Sequence, residues 1–145
     1  MIKIEYPTHA FKIRGDKGKE FIFDEQRKLW LRLTPEEWVQ QNFLQYLIQI
    51  KKYPVPLFAI EKEISLGELK KRCDIVVYGR NMLPWMIIEC KEMRAALNGA
   101  VLDQVLRYHI SIPCRYLIIT NGSHCYGFEK RAGELVEINS FPDYG

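Results

Sequence analysis

The chain has 145 residues, of which 48% are hydrophobic and 27% charged, enough for one globular domain with a sizeable core. Its net charge of +3 permits a nucleic-acid partner without arguing for one, although Lys70, Lys71 and Arg72 form a short basic run. With no apolar run near about 18 residues and no signal-like apolar stretch at the N-terminus, membrane functions are excluded and the cytoplasm is the expected compartment.

Residues 1–33 read as an antiparallel lead-in: two short alternating stretches, Phe11 to Ile13 and Phe21 to Phe23, flank the Gly15 to Gly18 turn, and Leu29 to Leu33 adds a further strand. The GDKGKE segment is not a phosphate loop, because Lys19 is followed by Glu20 and its glycines lie too close together. A helix then opens at Thr34, with Pro35 in the first position and Glu37 completing a capping box. Val39, Phe43, Leu47 and Ile50 recur at helical spacing, and Pro54 and Pro56 mark its end. Glu37 has a second possible role as an extra acid near a metal, which its cap position does not require.

Leu57 to Ile64 is expected as a strand leading into a hairpin, Cys73-Asp-Ile-Val-Val-Tyr78 and Trp85-Met-Ile-Ile-Glu-Cys90-Lys91, with Gly79 to Pro84 at the turn. A register centred on the turn pairs Tyr78 with Trp85, Val76 with Ile87 and Asp74 with Glu89, bringing two carboxylates to about 5 Å between Cβ atoms. Side chains alternate across a strand, so Lys91 joins Glu89 on one face. In that register Cys73 and Cys90 face each other on the other side. Two facing acids and a lysine suit a hard divalent cation held through oxygen, with the lysine near the reacting phosphate. A salt-bridged strand end is the alternative reading. What favours the site is the apolar run on both faces of these strands, which implies burial on both sides.

Leu97, Val101, Val105 and Tyr108 mark a second helical stripe, widened by Leu102 and Leu106, and Gln104 and Tyr108 stand one turn apart on it. Tyr116 to Thr120 is a strand after this crossover and is expected parallel to the one before it. Cys125 to Glu129 and Leu135 to Ile138 read as a closing hairpin, and Phe141 to Gly145 as a loose tail. The four cysteines form no CxxC pair and read as reduced core residues. None of His9, His109 and His124 can be set beside a cysteine from sequence, which disfavours a thiol enzyme.

The order helix, three antiparallel strands, helix, strand, with Asp74 on the second strand and Glu89-Cys90-Lys91 ending the third, resembles the PD-(D/E)XK nuclease superfamily. Gln104-Val-Leu-Arg-Tyr108 on the next helix is similar to the QxxxY motif of the N-terminal nuclease domain of type I restriction enzyme R subunits, and the segment Leu33 to Trp38 is similar to its start. The resemblance covers residues 34–129. It implies an α/β (α+β) restriction-endonuclease-like core, with a central mixed sheet flanked by helices.

It further implies Mg2+, with Mn2+ as a substitute, on Asp74, Glu89 and the Cys90 backbone carbonyl, with Glu37 as a candidate further ligand. Lys91 would assist the attacking water, and Gln104 and Tyr108 would contact DNA or support the site. The sequence departs from the pattern at Cys73, which stands where proline precedes the aspartate, and it carries no ATP-binding region. The implied partners are DNA and other restriction-modification or helicase subunits. A non-catalytic nucleic-acid-binding or assembly module is the second reading, and a structural interaction protein the third.

Overall fold

Thr34 has extended backbone angles and its hydroxyl accepts a 3.0 Å hydrogen bond from the Glu37 N–H, while Pro35 occupies a position whose N–H would be unpaired in any case. These two residues start α1 (Pro35–Gln45) where the sequence places it. The helix does not run evenly to Ile50: residues Tyr46–Ile50 widen into a π turn, which leaves Ile50 exposed. Before α1 stand β1 (Ile13–Asp16), β2 (Lys19–Asp24) and β3 (Leu29–Arg32), an antiparallel three-stranded sheet. Its first strand begins at Ile13, where the Phe11 to Ile13 reading ends, because Ile13 opposite Ile22 starts the ladder.

The structure, a computed structural model, describes residues 1–145. Its main sheet contains β4 (Phe58–Leu66), β5 (Leu69–Tyr78), β6 (Pro84–Cys90), β7 (Tyr116–Thr120), β8 (Cys125–Arg131) and β9 (Glu134–Ile138), in that spatial order. Every neighbouring pair is antiparallel except β6 and β7, which α2 (Gly99–His109) joins as a parallel crossover. The result is a mixed α+β sheet of the restriction-endonuclease type, as the order of elements implies. No helix is long and apolar enough to cross a membrane.

Alternation along the central strands divides the core between the two helices. Val39, Phe43, Leu44 and Leu47 of the first helical segment pack with Ile75, Val77, Met86, Ile88 and Ile118 on one face. Val76, Ile87, Leu117 and Ile112 form a smaller cluster on the α2 face, with Leu106 against it. Gly127 in β8 allows this packing: a Cβ there would stand 2.8 Å from Ile2 and 2.9 Å from Ile138.

Three local readings change. The β5–β6 hairpin keeps Val76 opposite Ile87, but an irregularity after Val77 sets Tyr78 against Pro84 instead of Trp85. Cys73 and Cys90 do not face each other: Cys73 packs with Val76 and Ile87, and Cys90 lies in the α1-side core. The cause is visible one strand away, where Glu61 takes a positive φ of 55° and the β4–β5 ladder skips the Glu61–Asp74 step, so simple alternation fails at Asp74. The tail is not loose. Phe141 is buried against Phe43, Tyr46 and Tyr53, the Tyr53 hydroxyl donates to the Pro142 carbonyl, and the Tyr144 hydroxyl donates to the Tyr78 carbonyl at 2.9 Å. All four cysteines are free thiols, and only Cys114 is more than slightly exposed.

Candidate active site

Asp74 reaches the site from the interrupted part of β5 and Glu89 from the end of β6, one step beyond the last regular pair, Ile75 opposite Ile88. With Lys91, Gln104 and Tyr108 they line one open pocket of about 380 Å3, closed on its remaining sides by Arg72, His109 and two valines of α2. Asn98 places α2 over the strand ends by capping it, its side chain accepting from the Val101 N–H at 3.1 Å.

Asp74 is 9% exposed, and its Oδ2 accepts a hydrogen bond from the Cys90 N–H at 2.8 Å. This bond ties β5 to β6 where the ladder ends. Burial pushes the Asp74 carboxyl up to about 7, with the Glu89 charge adding to the rise and the Cys90 N–H opposing it. A carboxyl raised in the folded state favours folding below its unfolded value, near pH 4, and that advantage is lost as pH rises through about 7. In chelator, Asp74→Asn is therefore expected to melt beside the wild type at pH 4 and above it at pH 8, by about 3 °C or more. Thermal melts at the two pH values check this, and a constant difference would mean that Asp74 carries no buried charge.

Glu89 meets a residue that sequence reasoning passed over. His109 is 2% exposed at the end of α2, and its Nε2 stands 3.3 Å from Glu89 Oε2. The other ring nitrogen, Nδ1, lies 3.1 Å from the Val105 carbonyl, which can only accept, so Nδ1 carries a proton. Neither Nε2 nor Oε2 has a well-aligned hydrogen bond, although both are buried. The available signal was spacing: His109 follows Val105 by four residues, and it is these two, not Tyr108, that form the buried stripe of α2.

Tyr108 instead lies at the rim. Its hydroxyl accepts from the Arg72 N–H at 3.3 Å, and Lys71 Nζ sits 4.2 Å from the ring centroid. Arg72 is held by Glu61 through bonds of 2.8 and 3.1 Å. Gln104 is exposed on the helix face above. Lys91 is anchored through its backbone, its N–H donating to the Thr120 carbonyl of β7 at 2.8 Å.

Glu37 does not turn to this pocket. Its carboxylate takes a weak bond from Gln41 at 3.4 Å and pairs with Arg27 at 3.5 Å, beside the buried Asp24. Its neighbour Glu36 is the α1 acid whose carboxyl senses the site: partial burial and the Glu89 charge hold it up, while Lys91 pulls it down. One residue along a helix is a rotation of about 100°, enough to separate these two acids.

Two converging carboxylates in a part-buried pocket fit a hard cation, and the unpartnered Oε2 of Glu89 is an oxygen with spare acceptor capacity. No third His, Cys, Asp or Glu side chain converges with them on one point. A cation here would therefore draw its remaining ligands from backbone carbonyl, water and substrate.

The sequence model of the family described as type I restriction enzyme R protein N terminus matches residues 35–142. The chain belongs to this family. The match begins at α1 and ends in the packed tail, so it spans both helices and the whole main sheet but leaves out β1–β3. No curated protein matches the chain.

Proposed function

We propose that the chain is a metal-dependent nuclease domain that hydrolyses phosphodiester bonds in DNA. The observation that carries this reading is the convergence of buried Asp74 and half-buried Glu89 in one pocket with Lys91, in a chain of the restriction R-protein family. Mg2+, or Mn2+ in its place, would be held by Asp74, Glu89 and the Cys90 carbonyl, where it would supply Lewis-acid polarisation of the scissile phosphate. Lys91, a compact cation on the same side, would hold the attacking water and oppose charge growing on the phosphoryl oxygens. Arg72 and Lys71 would receive flanking phosphates, with Gln104 and Tyr108 setting the position of the strand. Other subunits of a restriction-modification complex, including a helicase, are the partners this family context suggests.

The reading is tested by incubating the purified protein with plasmid and with single-stranded DNA, in Mg2+, in Mn2+ and in chelator. Cleavage that requires the metal supports it, and binding without cleavage in every divalent ion makes the chain a non-catalytic module. The ligand assignment has its own measurement. Calorimetry with Mn2+ is expected to give weak binding to the wild type, because much of the coordination shell is left to water and phosphate, and at least tenfold weaker binding to Asp74→Asn. Equal binding by the two proteins would remove Asp74 from the ligand set.

A further inference from the structure

The small sheet outside the matched family region has two unlike faces. One turns to α1: Ile22 and Asp24 are fully buried, and Asp24 is bonded to Gln41 of that helix. The pairing of Arg14 with Phe21, Phe21 with Arg32 and Phe23 with Trp30 defines the other face. Alternation adds Lys12 and Lys19 to it, together with Asp16 at the turn. Its strands thus carry half-buried rings, Phe21, Phe23 and Trp30, among exposed cations.

The cations are already organised. The Arg14 guanidinium lies 4.2 Å from the Trp30 ring, Lys12 Nζ lies 5.4 Å from the Phe23 ring, and Phe23 and Trp30 meet edge to face at 5.3 Å. None of Lys12, Arg14, Lys19 and Arg32 is in an ion pair, although the chain makes several such pairs elsewhere. Four cations against one acid give this face a surplus equal to the net +3 of the whole chain. The other charges of the chain sum to zero, so this aromatic sheet surface accounts for the whole net excess.

We propose that the outer face of β1–β3 is a second nucleic-acid-binding surface, which takes single-stranded nucleic acid through phosphates at Lys12, Arg14 and Arg32 and base stacking at Trp30 and Phe23. Aromatic rings interleaved with unpaired cations on an open sheet are the arrangement that holds single strands without sequence preference. A guanidinium carried over an indole also offers a flat outer surface on which a base can stack. An acidic protein would use the charges and leave the rings idle, so the rings favour nucleic acid. The surface is distinct from the pocket and would bind whether or not the pocket cuts.

The test measures affinity of the full chain for a fluorescein-labelled oligothymidylate, in chelator so that no cleavage intervenes, over a range of salt. Lys12→Gln/Arg14→Gln/Arg32→Gln is expected to bind at least tenfold more weakly, with the slope of log affinity against log salt reduced by about 2, since each single-strand phosphate contact contributes about 0.7. Trp30→Leu is expected to lose about fivefold or more with its salt slope unchanged. Should the triple variant fail to fold, Arg14→Gln alone is expected to lower the slope by about 0.7. Wild-type affinity and slope in a folded charge variant would overturn the proposal. So would polyglutamate competing as well as the oligonucleotide, since that points to an acidic protein. A chain that cuts normally but shows no effect of these variants loses this inference alone, and one that binds here but never cuts loses only the nuclease reading.

Discussion

Lys91→Ala is expected to slow DNA cleavage by on the order of 10²-fold or more, comparable to removing one donor to a transition state. DNA affinity should stay within about twofold, because one lysine is a single unit among many phosphate contacts. The backbone at this position is fixed by the bond from the Lys91 N–H to the Thr120 carbonyl, which alanine retains. The pocket geometry should therefore survive the change. Single-turnover cleavage and filter binding on the same preparations separate the two effects. Equal cleavage by both proteins would show that Lys91 does not act on the reacting phosphate, and a parallel loss of binding and cutting would make it an ordinary phosphate contact.

The second large effect concerns stability and lies away from the pocket. Asp24 has no exposed surface, and its carboxylate accepts from the N–H groups of Gln26 and Arg27 at 2.8 and 2.9 Å, from Arg27 Nε at 2.7 Å and from Gln41 Nε2 at 3.0 Å. Burial alone would raise its proton affinity, but the Arg27 and Gln41 bonds outweigh burial and hold the carboxyl below its usual range. Asp24→Ala strips partners from a guanidinium and from a buried amide at once, and is expected to cost about 3–5 kcal/mol, or about 10 °C in melting temperature. Because the folded-state carboxyl is depressed, its contribution is present above about pH 4 and is lost as pH falls through its folded value. Urea unfolding at pH 7 and at successively lower pH checks both points: the gap between variant and wild type should be widest at pH 7 and shrink as the carboxylate is protonated. A gap that does not change with pH would assign the loss to packing.

The parts of the fold that follow from repeating patterns were readable in the chain. Thr34-Pro35 opened a helix because capping is local chemistry, and the apolar runs 75–78 and 85–88 became central strands because no other element buries both faces. Asp74, Glu89, Lys91, Gln104 and Tyr108 then came together because the topology leaves one place where the middle of β5 and the end of β6 meet α2. Exceptions to the patterns were not readable. The positive φ at Glu61 shifts Cys73 away from Cys90, and nothing in a glutamate announces a left-handed backbone. The choice between Glu36 and Glu37 turns on Arg27, a residue outside the helix that holds Glu37 aside. The tail reads as loose because its aromatic residues, Phe141 and Tyr144, find partners only in elements far back along the sequence.

The single parallel seam in the main sheet has a consequence for how the molecule assembles. The strands β4–β6 are joined by short turns, as are β7–β9, so each set can zip locally, whereas β6 meets β7 only after the segment carrying α2 has looped back. Asp74 and Glu89 both belong to the first set and can come together while still bathed in water. His109 and the valines of α2 cover them once that helix packs over the strands. Dehydration of the acid pair therefore waits on the docking of α2 rather than on the pairing of the two strands that carry the acids.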